Sequence, residues 1–182
     1  MKPTLAQVIL TSALVILPAS QVYAEVTCEE GRANTQVLAT TDSANFTDHG
    51  DGTVTDNVTG LMWMRCSLGK TWISGTGSCD GSATTLSWQS PLSNAEGTNF
   101  AGHDDWRLPN MKELESIVER RCWSPAINST LFPDTSTSSY YWTSSPSASQ
   151  ILQAWVISFN IGSVFIQDKT ESLRVRLVRG GN

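Results

Sequence analysis

The sequence predicts an α+β domain, with two helices packed on short antiparallel strands and long loops, stapled by disulfides. Three observations predict it. The stretch DDWRLPNMKELESIVERR, residues 104–121, reads as the strongest amphipathic helix. Glycine-punctuated runs of alternating apolar residues on either side of it read as hairpins. Four cysteines, in a chain that opens with an export-type segment, imply cross-links.

The chain begins with Lys2 as a positive region, an apolar run from Leu5 to Leu17, and Val22-Tyr23-Ala24 ahead of a cleavage position. Residues 1–24 are therefore expected to be a signal peptide. The run is too short to span a bilayer, and no later run is longer. Export predicts a periplasmic, secreted or cell-surface protein. The whole chain has a formal net charge of −5, and removal of Lys2 makes it −6. An acidic chain of this kind is a poor nucleic-acid binder.

Residues 25–45 are polar and loosely patterned, and are expected to be an arm ordered through Cys28. The domain proper is expected over residues 46–182. In FTDHGDGTVTDNVTGLMWMRC, strands are expected at Phe46-Thr47, Thr53–Asp56 and Leu61–Arg65. Gly50, Gly52 and Gly60 supply the positive φ that the turns require. Asp48, Asp51 and Asp56 suggest calcium, but their spacing misses the D-x-D-x-D-G pattern and turn chemistry accounts for them.

Residues 86–97 are expected to hold a first, short helix, with Ser90 as cap and Pro91 in its first turn. In the main helix Asn110 is the N-cap and Glu113 completes a capping-box spacing. Leu114, Ile117, Val118 and Arg121 share a face, and Glu113, Glu115 and Glu119 lie on the solvated sides. Arg120 and Arg121 close the helix, so that it forms one long rod for a sheet to pack on.

Beyond it, YYWTSS starts a strand and AWVISFNIGSVFIQ reads as a hairpin turning at Asn160–Ser163. In LRVRLVRGG, Leu173, Val175 and Leu177 face inward and Arg174 and Arg176 outward, with Arg179 after a break. Three cysteine pairings are possible. Cys66–Cys79, closing SLGKTWISGTGS, is favoured, which leaves Cys28–Cys122. The spacings form no zinc pattern. No cofactor or metal is expected.

These landmarks together resemble a known family. TGLMWMRC, DDWRLPNMKELESIV, PAINSTLFP, YYWTSS, AWVISFNIGS and VRLVRGG are similar, in order, to the Lcl carboxy-terminal-like domain, long catalogued as of unknown function. The likeness implies a bacterial, exported domain. It also implies surface adhesion, since the best-known member is an adhesin that binds sulfated polysaccharide. WRLP, W-T-S-S and R-L-V-R further resemble the C-type-lectin-like fold of formylglycine-generating enzymes, which implies the two-helix α+β frame. The chain lacks the adhesin's collagen-like triplets, so trimerisation is not implied.

The expected function is an exported, non-enzymatic binding module for polysaccharide or another surface protein. No G-x-S-x-G, H-E-x-x-H or phosphate loop occurs, and no catalytic residue is assigned. The alternatives are a structural subunit of an envelope or fibre assembly and a formylglycine-generating-like enzyme. Ligand contact is expected from Trp72, by stacking on a sugar ring, and from Arg174, Arg176 and Arg179, as a basic stripe for sulfate or carboxylate. Trp63, Trp106 and Trp142 read as buried.

Overall fold

The computed structural model of the protein describes residues 26–29 and 32–180. The expected signal peptide lies outside them. Eleven strands form three sheets among the described residues. In chain order they begin with β1 (Phe46–Asp48), β2 (Thr53–Asp56), β3 (Leu61–Met64), β4 (Thr71–Ile73), β5 (Ser78–Asp80) and β6 (Thr85–Leu86). Two helices follow, α1 (Gln89–Asn94) and α2 (Met111–Ser116). Then come β7 (Tyr140–Pro146), β8 (Gln153–Ser158), β9 (Ser163–Asp168), β10 (Leu173–Arg174) and β11 (Val178–Gly180).

Turn chemistry builds the first sheet, in the order β1-β2-β3-β11. Gly50, Gly52 and Gly60 all have positive φ, as hairpin turns demand. Asp48 accepts the Gly50 N–H, Asp51 the Thr53 N–H and Asp56 the Val58 N–H, so the three aspartates are turn residues. The second sheet runs β6-β10-β7-β8-β9, and β4 and β5 pair by themselves.

The expected α+β, C-type-lectin-like frame is overturned. The protein is mostly β, and each α-helix has only six residues. The start of α2 is as expected: Asn110 and Glu113 form a reciprocal capping box. The helix then stops at Ile117 instead of continuing to Arg121. Val118 bridges Ile127, and the Glu119 N–H donates to the Ala126 carbonyl. Glu119 is not on a solvated side but fully buried. Its carboxylate accepts the backbone N–H groups of Thr40, Thr41 and Arg121 and the Thr41 hydroxyl. These bonds take over the backbone where the helical ladder would continue. The apolar residues at helical spacing are buried nonetheless, reached by a turn. Helix α1 starts one residue before Ser90 and has no side-chain cap.

The central sheet has a core on each side. Tyr141, Ile157 and Phe159 join Trp63, Leu114 and Ile117 in one cluster. Trp142, Ala154 and Val156 join Trp106, Val175 and Leu177 in the other. Burial of both faces is the main source of stability, at about 25 cal/mol per Å² of apolar surface. Segment 173–180 leaves β10 in the five-stranded sheet and enters β11 in the four-stranded one. Residues crossing between the sheets are buried on both sides, so the predicted outward face at Arg176 is internal.

Two disulfides form, Cys28–Cys122 with Cα atoms 5.4 Å apart and Cys66–Cys79 at 5.6 Å. The first ties the arm to the end of the α2 segment, where Ala33 bridges Cys122. Disulfides suit an extracytoplasmic protein. Among the described residues no helix is long and apolar enough to cross a membrane.

Candidate functional site

The four residues expected to contact ligand do not come together. Trp72 is half-buried on β4 and closes against the β1–β2 turn. Its indole N–H donates to the Gly50 carbonyl at 3.2 Å. A Cβ at Gly52 would lie 2.8 Å from the Trp72 Cβ, so only glycine permits this approach. The Arg65 guanidinium covers the ring, 4.2 Å from its centroid. Arg65 also donates to Asp48 and to the carbonyls of Leu131 and Thr130. Trp72 thus pins the disulfide-closed hairpin to the first sheet.

Arg176 is corrected as a surface contact, because it is 0% exposed. Its guanidinium donates to the carbonyls of Met64 and Arg65 and to the Thr135 hydroxyl. The rings of Phe132 and Tyr141 lie 5.0 and 5.9 Å away. Burial pulls its pKa below the ordinary arginine value, while Tyr141 opposes the shift. Arg179 is taken up by Asp105, at 2.6 Å, and by the Met62 sulfur. That hydrogen bond holds the exposed Asp105 carboxyl below its usual pKa.

Arg174 stands apart from the other two. It is half-buried, and among the described residues it makes no ion pair or side-chain hydrogen bond; its Nε is covered and unpartnered. It lines an open polar groove of about 550 Å³. Arg32 and Lys70 bring two more cations, and Glu29 and Asp134 two carboxylates. Glu29 pairs with Arg32 at 2.9 Å. Asp134 accepts the Cys79 N–H at 3.1 Å and comes only to 4.0 Å from Lys70. Among the described residues the groove therefore carries one more cation than carboxylates, in an acidic chain.

One wall is the hydroxyl-rich loop Thr135–Ser138. It is fixed from beneath: Arg176 donates to Thr135, and Tyr141 Oη accepts the Ser136 N–H at 3.0 Å. Ser82, from the turn after β5, adds another hydroxyl. Hydroxyls on a fixed wall, with Arg174 free of an ion pair among the described residues, can recognise an anionic, polyhydroxylated ligand. Sequence reasoning found Arg174 but missed Arg32, Lys70 and the serine–threonine wall. The run TSTSS was the available signal, although nothing local places it beside Arg174.

A family model described as the Lcl C-terminal domain matches residues 52–179, inside the expected 46–182 span. No curated protein matches the sequence.

Proposed function

The chain belongs to the Lcl C-terminal domain family, and from that membership we propose that it is an exported, non-catalytic module that binds acidic polysaccharide in the Arg174 groove. One observation carries the reading: Arg174 lines a polar groove and makes no ion pair among the described residues. An arginine placed this way offers charge-assisted, bidentate bonds to sulfate or carboxylate. The neighbouring hydroxyls match the alcohols of a sugar polymer. All four cysteines are paired, which leaves no thiol for a nucleophilic mechanism.

Trp72 is a weaker candidate on these grounds, since Arg65 already covers its ring. The test is an array of neutral, carboxylated and sulfated glycans, read at low and high salt. The expected result is binding of acidic glycans, weakened by salt and at least tenfold weaker in Arg174→Ala. Binding of neutral glycans that survives Arg174→Ala and is lost in Trp72→Ala would overturn the assignment.

A further inference from the structure

The five-stranded sheet ends in β9, a six-residue strand with no neighbour on its outer side among the described residues. Its pairing with β8 is unbroken from Ser163↔Ser158 to Asp168↔Gln153, so no bulge twists the edge away. The sequence SVFIQD holds no lysine and no proline, two residues that commonly blunt such an edge. The Lys169 N–H donates to the Leu152 carbonyl at 2.9 Å. By antiparallel alternation the backbone groups of Val164 and Ile166 then point outward. No hydrogen bond outside the β8 ladder reaches them among the described residues.

The ends of this edge carry different charged groups: Arg120, itself paired with Glu115 at 2.9 Å, at the start, and Asp168, followed by Lys169, at the end. At the start of β9, Arg120 donates to the Gly162 carbonyl at 2.7 Å. At its end, the exposed Asp168 accepts from the Gln153 amide and makes no ion pair among the described residues. Two such edges laid antiparallel bring each Arg120 end to the other's Asp168 end. Laid parallel, they would oppose like charges. Phe165 supplies the centre: it is 37% exposed, with Tyr140 at a centroid distance of 5.5 Å.

We propose that β9 pairs with β9 of a second copy of this chain, across a two-fold axis at Phe165. In this register Phe165 faces Phe165 in a non-hydrogen-bonded pair, and Val164 and Ile166 exchange backbone bonds with Ile166 and Val164 of the second copy. Gly162, and with it Arg120, lies opposite Asp168 of the second copy. The interface is isologous and closes, since the paired edges are consumed. It is separate from the polysaccharide reading, so Arg174→Ala leaves it unchanged.

Sedimentation velocity on the oxidised protein tests the proposal. Apparent mass is expected to double as concentration rises, and to remain that of one chain in Phe165→Lys. Asp168→Arg is expected to abolish the doubling, and adding Arg120→Asp to restore it. Phe165→Cys is expected to cross-link two chains on oxidation, because cysteines in a directly opposed pair lie within disulfide reach. Gln167→Cys, which would face Ser163, is expected not to. A single chain at every concentration, or equal cross-linking at both positions, would overturn the proposal.

Discussion

Arg176 is a guanidinium in the protein interior that makes no ion pair among the described residues. Its cost is offset by three acceptors and by the aromatic faces of Phe132 and Tyr141. Arg176→Met would leave those acceptors bare, which costs on the order of 1–3 kcal/mol. Denaturant unfolding should register that loss, and the Thr135–Ser138 wall should loosen with it. At Glu113 the sign of the pH dependence follows from its partners. Arg107 grips its carboxylate at 2.7 and 2.8 Å, and the Asn110 N–H adds a third bond. The pKa is lowered by Arg107 and, less, by the Asn110 N–H, against burial. Its contribution is therefore present above the unfolded carboxyl pKa and is lost as pH falls through the lowered folded value. Glu113→Gln should cost up to about 1 kcal/mol near neutral pH, the loss of the partly exposed Arg107 pair, with the gap to wild type closing in acid. A gap that widened in acid would contradict the geometry.

At the scale of elements, the first hairpins were legible because their cause is local. Glycines with positive φ and aspartates that bond two residues ahead are visible in the chain itself. The capping box at Asn110 was legible for the same reason. The length of α2 was not, because what ends it comes from far away. Thr40 and Thr41 reach Glu119 from nearly eighty residues upstream. The outward reading of Arg176 failed similarly, since alternation cannot show that a segment crosses between two sheets. The disulfides differ in the chain they close, with sequence separations of 94 for Cys28–Cys122 and 13 for Cys66–Cys79. Loop entropy gives roughly 4–5 kcal/mol for the longer and about 3 kcal/mol for the shorter. Replacing each pair by serine should therefore destabilise the protein more at Cys28 and Cys122. Equal midpoints in guanidinium, or the reverse order, would argue against the arm as a structural part of the domain.

At the scale of the whole molecule, two sheets share the segment that carries Arg174, Arg176 and Arg179. One arginine goes to the interior, one to Asp105 and one to the groove. The groove draws on the arm, the turns flanking the β4–β5 hairpin, the Thr135–Ser138 loop and β10, segments that the two disulfides and the five-stranded sheet hold in place. That is why composition marked the chain as acidic while the described groove residues hold three cations against two carboxylates. Electrostatic capture in such a groove is screened by salt, with a Debye length of about 10 Å at 0.1 M. The most direct measurement is a nitrogen-15 NMR titration of the oxidised protein with a sulfated oligosaccharide. The account predicts shifts at Ser82, at Ser136, Thr137 and Ser138, and at the Arg174 side chain, fading as salt is added. Shifts gathered around Trp72 instead, or none at the groove while the oligosaccharide binds, would contradict it.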